Sequence, residues 1–242
     1  MILVSFSLYG SDPKYTVGAV RNAELIRSFG SGWQSVFYLG SEISEEIRSA
    51  LLINGAKIRS WDATWHKNGM FWRFAAIQDF NYDFLIFRDV DSRISERELK
   101  ALEQWFKSGK TLHIMRDHPY HNALILGGMW GVTSAVKRSK IKWDSAEKYG
   151  VKHGQDQVFL HREIYPHLKM SKHVNDEFFS LSVKKFRFPT DRSGFSYVGE
   201  SLDEKDHFDE DLRLILKSFI HSPIKRFKLS VIFLLHRFRE SL

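Results

Sequence analysis

The sequence predicts one α/β domain built on a mostly parallel, mixed sheet with helices on both faces. Three observations carry that expectation. The first half alternates short apolar runs with amphipathic runs in the order strand, helix, strand, helix, strand, which begins a doubly wound nucleotide-binding half. The chain has 242 residues, 43% of them hydrophobic and 14% aromatic, which suits one well-buried core and argues against disorder. The apolar run Leu85-Ile86-Phe87 ends in Arg88-Asp89-Val90-Asp91, and open α/β sheets bind ligands beyond the carboxyl ends of their strands.

In chain order, Ile2 to Ser7 is apolar enough for a central strand, and Leu8 to Thr16 carries the Gly, Asp and Pro of a loop. A helix is expected over Val20 to Arg27, with Gly30 near its end, and a second strand over Ser35 to Tyr38. Ser44 to Ile53 reads as a helix with acidic residues near its start, and Ala56 to Ile58 as a third strand. Asn68 to Phe80 is helical in pattern and leads into the Asp89 strand. Ser95 to Ser108 is an amphipathic helix stopped by Gly109, and Thr111 to Met115 a further strand. Leu124 to Gly131 holds adjacent glycines where backbone approaches a ligand closely. A helix opens at His153-Gly154-Gln155-Asp156-Gln157, a strand-like segment covers Met170 to Phe179, and Asp209 to Ile220 reads as a helix.

Alternate residues of an extended segment point the same way, so Asp89 and Asp91 can share one divalent cation through hard oxygen ligands. A cation held there can hold a diphosphate. The plainer reading of a lone Asp-x-Asp is a solvated turn. Arg73 lies within an apolar helix face, where it either pairs with a carboxylate or turns toward Asp89 and a bound phosphate or sugar. From position alone, Ser7, Tyr9 and Asp62, in the loops after the first and third strands, are candidates to recognise a base and ribose. The loop Arg116 to Asn122 is dense in sugar- and metal-binding groups.

The Arg-bearing helix, the strand ending in Asp-x-Asp, the strand with a Gly-Gly turn (Ile125-Leu126-Gly127-Gly128-Met129-Trp130-Gly131) and Gln155-Asp156-Gln157 at a helix start together resemble the metal-dependent glycosyltransferases of the GT-A fold. Within that fold the pattern is similar to the group holding glycogenin and the bacterial lipooligosaccharide sugar transferases, and to small bacterial and viral sugar transferases. The resemblance implies a GT-A-like catalytic domain over residues 1–220, with a nucleotide-binding half (1–93) and an acceptor half (94–220). It implies transfer of a hexose from a nucleoside-diphosphate sugar, a UDP-sugar first among them, to a glycan or lipid-linked saccharide, with Mn²⁺ or Mg²⁺ as cofactor. Asp89 would contact the donor and, with Asp91, the metal, and Arg73 would reach the donor sugar or its phosphate. Gly127 and Gly128 would line the sugar pocket, with Asp156 and Gln157 near the reacting sugar. Asp117 and Asp156 are the carboxylates able to serve as a base if the reaction inverts; the likeness is to a retaining group. That group's late His-x-x-Gly-x-x-Lys-Pro-Trp, whose His completes the metal site, has no such string here. His173 is taken as the substitute ligand and His221 as the second choice.

Charge and composition narrow the rest. The chain has no cysteine, so it has no disulfide framework, thiolate nucleophile or zinc–thiolate site, which fits a reducing compartment. The start, MILVSFSLYG, reads as a strand, with neither a signal peptide nor a leading membrane span expected, and a cytoplasmic protein is the expectation. Of the formal charge of +7, residues 221–242 hold +4 through Lys225, Arg226, Lys228, Arg237 and Arg239 against Glu240. This tail is read as a basic amphipathic extension that either lies on the inner face of a membrane, where lipid-linked glycans are found, or packs on the domain. Two other classes compete. A metal-dependent nucleotidyltransferase acting on sugar phosphates shares the Asp-x-Asp, but usually has a glycine-rich basic phosphate loop where this chain has LYGSDPKYT. A nucleic-acid-binding module is suggested by the pI of about 9.5, yet the basicity belongs largely to the tail, so no nucleic-acid partner is expected.

Overall fold

The computed structural model describes residues 1–61, 66–179 and 187–240. The described strands are β1 (Ile2–Leu8), β2 (Trp33–Leu39), β3 (Lys57–Ser60), β4 (Phe84–Arg88), β5 (Leu112–Arg116), β6 (Met129–Thr133) and β7 (Lys172–Asp176). They form one sheet in the order β3-β2-β1-β4-β6-β5-β7. β6 runs antiparallel between β4 and β5, and the other neighbouring pairs are parallel. The mixed, mostly parallel sheet expected from the sequence is therefore present.

Strand alternation divides the core into two layers. Val4, Phe6 and Leu8 of β1 and Ile86 of β4 pack under α1 (Pro13–Ser28), α2 (Glu45–Ile53) and α4 (Glu96–Ser108). Leu3, Leu85 and Phe87 face the opposite layer, with Phe71, Phe74, Trp130 and Phe159. Ser5 and Ser7 share that second face. The Ser5 hydroxyl donates to the Arg73 carbonyl (2.8 Å) and the Ser7 hydroxyl accepts from the Arg73 amide (2.9 Å). Two small polar residues in a buried strand thus position one arginine's backbone.

Several elements differ from the sequence expectation. α1 begins at Pro13, seven residues before Val20, because the Asp12 side chain caps the Lys14 amide (2.9 Å) and proline suits the first helical turn. The expected helix over Asn68 to Phe80 is a 3₁₀ segment, Gly69–Ala75, followed by the short α3 (Ala76–Asp79). The segment is capped by Asn68 on the Met70 amide (3.0 Å) and tied to β1 at Arg73. The Asp156 helix is α5 (Gln155–Phe159), continued by a π-turn, Leu160–Ile164, and α6 (Tyr165–Leu168). α7 (Glu210–Ile220) starts at its Asp209 cap, as the sequence indicates.

The tail forms α8 (Pro223–Glu240), and one of its faces lies on the domain: Ser230 Oγ donates to the Phe178 carbonyl (2.6 Å), and Phe233 stacks near Phe179. Ile224, Phe227, Ile232 and Leu235 remain exposed beside Lys225 and Lys228. No described helix is long and apolar enough to cross a membrane.

Behind the Asp-x-Asp turn, the buried Arg88 donates to the Gly128 carbonyl (2.7 Å) and to Ser92 Oγ (2.9 Å). Its Nε lies 3.2 Å from Glu98 Oε1, but neither carboxylate oxygen of Glu98 has hydrogen-bond geometry to a partner. Burial pushes the Glu98 carboxyl up to about 7, and nearby Arg88 offsets only part of that rise. The unfolded chain therefore releases this proton at lower pH than the fold, and ionising Glu98 removes stability as pH rises from about 4.5 to about 7. Denaturant unfolding of wild type and Glu98→Gln at pH 5, 6, 7 and 8 should show the difference in stability moving in the variant's favour up to about pH 7 and levelling off by pH 8. A difference independent of pH would mean that Glu98 is ionised in the fold throughout.

Candidate functional site

At the carboxyl end of β4 the strand parity that buries Leu85 and Phe87 sends Asp89 to the face carrying Arg73. The Arg73 side chain is 5% exposed, and it pairs through Nη1 with Asp89 Oδ1 and through Nη2 with Asp156 Oδ2 (3.2 Å). Nη1 also donates to the Arg88 carbonyl (3.2 Å). One cation thus joins the strand carrying Asp89 to the helix carrying Asp156. Burial pushes the Asp89 carboxyl up, but the Arg73 guanidinium more than offsets this and holds it below the usual carboxylate range. At Asp156, burial prevails over Arg73, Asp89 adds repulsion, and the carboxyl is lifted. Asp156 Oδ1 and Arg73 Nε are buried without hydrogen-bond partners among the described residues.

The two glycines make this closeness attainable. A Cβ on Gly127 would stand 2.0 Å from Asp156 Oδ2, and one on Gly128 would stand 2.0 Å from Asp89 Oδ2. Around them is a cleft of about 350 Å³ lined by Ser7, Tyr9, Arg73, Asp89, Asp91, Gly127, Gly128, Asp156 and Gln157. The structure therefore brings together nine of the residues singled out in the sequence. Asp62, the remaining base-and-ribose candidate, lies outside the described residues.

Two expected members stand elsewhere. Asp117 is fully buried outside the cleft, accepting from Arg97 Nε (3.0 Å), Arg97 Nη2 (3.1 Å) and the Val198 amide (2.9 Å), with Arg192 on its other side. Its oxygens are committed to tying residues 190–198 to the sheet, which corrects its reading as a base. His173 does not return beside Asp91. β7 is the outer strand, three places from β4, and His173 pairs in register with His113 near the amino ends of the two strands. His221 caps the end of α7 against Phe195, and it too is absent from the cleft lining.

Other groups at the cleft escaped the sequence reading. Asp91 Oδ2 accepts from Ser201 Oγ (2.9 Å) and pairs with Lys14 Nζ (3.0 Å), while the Asp91 carbonyl accepts from the Leu202 amide (2.7 Å). The covering segment is anchored by Glu200 on Arg213 (2.6 Å) and by Asp206 on Arg21 and Arg93. It includes Ser196-Tyr197-Val198-Gly199-Glu200-Ser201-Leu202, in which a glycine stands three residues from Ser196 and three from Leu202. His121 and His153 also line the cleft. His121 Nδ1 accepts from the Asp117 amide (3.0 Å), which leaves the proton on Nε2 and makes that nitrogen a donor rather than a metal ligand.

The carboxylates at the cleft are of the hard-oxygen kind a divalent cation takes. Among the described residues no group of three or more His, Cys, Asp or Glu is arranged to cage a metal ion. Asp89 Oδ2 and Asp91 Oδ1 nevertheless carry no protein donor and border one cleft. Two carboxylates with substrate phosphate oxygens and water is a usual arrangement for Mg²⁺. The site suits a cation that arrives with a diphosphate rather than one the protein holds alone.

No family model and no curated relative matches the sequence. Solved structures do. The chain superposes over 95% of its length, and 100% of the other chain, on the galactosyltransferase LgtC in complex with donor and acceptor sugar analogues, with a TM-score of 0.50 and 14% identity. Weaker superpositions include S. aureus TarS, at TM-score 0.46 and 12% identity over 65% of this chain and 53% of that one. Another is glucosyl-3-phosphoglycerate synthase from Mycobacterium tuberculosis in complex with Mn²⁺, UDP and phosphoglyceric acid, at 0.42 and 12% over 67% and 64%. The chain spans about half of the TarS chain and under two thirds of the synthase. The superposition on LgtC, complete for both chains to within a few per cent, shows that this protein has the GT-A fold.

Because Arg73 neutralises two carboxylates, Arg73→Met leaves Asp156 buried without its counter-ion. Urea unfolding should show a loss of about 3 kcal/mol at pH 8, and a smaller loss at pH 5, where the lifted Asp156 carboxyl takes up a proton instead. Equal losses at both pH values would contradict the shared-cation description.

Proposed function

We propose that this chain is a glycosyltransferase that moves a hexose from a nucleoside-diphosphate sugar, a UDP-sugar in the first instance, to a glycan or lipid-linked saccharide with retention of configuration. The observation that carries the reading is the convergence of Asp89, Asp91, Arg73 and Asp156 around one glycine-walled cleft at the carboxyl end of β4. The GT-A fold supports it. Ser7 and Tyr9 line the same cleft on the β1 side, which supports contact with the base and ribose.

A Mn²⁺ or Mg²⁺ ion held by Asp89 and Asp91 would neutralise the charge that builds on the departing diphosphate. Arg73 holds Asp89 ionised and oriented, and its side chain borders the cleft that would take the donor. Gly127 and Gly128 let Asp156 and Asp89 lie against the backbone where a side chain would collide with them, and both glycines line the cleft that would take the sugar. Asp156 and Gln157 border the same cleft, which supports their place beside the reacting sugar. In the retaining course the bond from the anomeric carbon to the phosphate oxygen breaks, its electron pair staying on the diphosphate. The acceptor hydroxyl then attacks from the vacated face, and its proton goes to the departing phosphate oxygen.

An apolar groove of about 340 Å³ supports the lipid-linked class of acceptor. It is lined by Leu124, Val158, Phe179, Leu229, Ile232 and Phe233, and Gln157 borders both this groove and the cleft. The outward apolar residues of α8, flanked by Lys225 and Lys228, support a peripheral contact with an anionic bilayer.

A screen of nucleotide-sugars, read as binding and as hydrolysis with and without Mn²⁺, tests the central reading. At least one should bind with metal, and Asp91→Ala should lower turnover by about 10²-fold or more. The reading fails if none binds, or if Asp91→Ala is without effect. For the membrane contact, the double variant Ile224→Asp and Phe227→Asp should lose sedimentation with anionic liposomes while keeping its activity on an acceptor without lipid. Undiminished sedimentation would remove α8 as the contact.

A further inference from the structure

Asp91 already has a cation. Lys14 Nζ stands 3.0 Å from Asp91 Oδ2, on the oxygen that also accepts from Ser201 Oγ at 2.9 Å. The ion pair is partly enclosed, with the lysine side chain 32% exposed and the aspartate 17%. Lys14 belongs to the first turn of α1, so the Asp12 cap and Pro13 fix its backbone while its long stem leaves the ammonium free to swing. Asp89 is neutralised separately by Arg73. Asp91 thus has Lys14, while Asp89 shares Arg73 with Asp156.

A divalent cation on Asp91 Oδ1 would stand close to the ammonium on Oδ2, and two positive charges that near repel and weaken each other's hold on the carboxylate. The displaced ammonium then needs another anion, and the diphosphate that comes with the cation supplies one. We propose that Lys14 is a donor-binding residue that holds Asp91 while the cleft is empty and passes to the diphosphate when a metal–nucleotide complex enters. This rests on the reading of the cleft as a nucleotide-sugar site and adds a residue to it. Two consequences follow from linkage. Metal alone binds poorly because it must displace Lys14 with no anion to receive it. Metal and nucleoside diphosphate then bind with positive coupling, each relieving a cost of the other.

Calorimetric titration of Mn²⁺, of UDP and of each in the presence of the other, on wild type, Lys14→Met and Lys14→Arg, separates these effects without reference to turnover. Lys14→Met should bind Mn²⁺ alone on the order of tenfold more tightly, bind UDP in the presence of Mn²⁺ on the order of tenfold less tightly, and show reduced coupling between the two. Lys14→Arg should restore UDP binding to near the wild-type value. The inference is overturned if Lys14→Met changes neither affinity, or weakens Mn²⁺ and UDP alike. If wild type binds no nucleoside diphosphate with Mn²⁺, the assignment of the cleft itself falls. Equal thermal unfolding midpoints for the three proteins would exclude misfolding as the source of any change.

Discussion

The site is organised by one buried charge. Desolvating the Arg73 guanidinium is costly, and the cost is met only because two carboxylates and a backbone carbonyl converge on it. That requirement fixes the end of β4 against the start of α5, two segments far apart in the chain. It also explains the hydroxyls on β1, since Ser5 and Ser7 bind the peptide groups on both sides of Arg73 and keep a short 3₁₀ segment from drifting. The same cation sends its two partners in opposite directions. Asp89, half open to the cleft, stays ionised, while the more deeply enclosed Asp156 is lifted toward protonation.

A second set of ion pairs builds the outer wall. Asp117, Arg97 and Arg192 tie residues 190–198 to the sheet, and Arg213, Arg21 and Arg93 hold residues 200–206 over Asp91. These contacts place Ser201 and the Leu202 amide on the aspartate from outside the sheet. The chemistry proposed for the cleft thus depends on a segment with little regular secondary structure, held by arginines rather than by a strand ladder.

Much of this was legible in the order of residues. The β1, β4 and α4 segments show their periodicity openly, and Ser44, Ser95 and Asp209 cap the helices they precede. Asp89, Asp91, Arg73, Gly127, Gly128 and Asp156 stand out because their residue types are poorly explained by a core alone. The failures have physical causes as well. Asp117 has the same side chain as Asp89, and only the arrival of two arginines from distant segments makes it a structural clamp. His173 looked able to rejoin Asp91 because a strand's place in a sheet is not written in its own residues, and β7 adds at the far edge. Lys14 was hidden by a misplaced boundary, since the Asp12-Pro13 cap turns an apparent loop into the first turn of α1.

The sequence by itself determined the α/β class, the helices with capped ends and the candidates at the carboxyl end of β4, because local periodicity, capping chemistry and the scarcity of charge in apolar runs act over a few residues. Only the tertiary structure decided which carboxylates share a cation. Arg73 meets Asp156 across 83 positions and Asp91 meets Ser201 across 110. Such pairs are chosen by the sheet order and by the balance of desolvation against Coulomb attraction, and both exist only once the chain has folded.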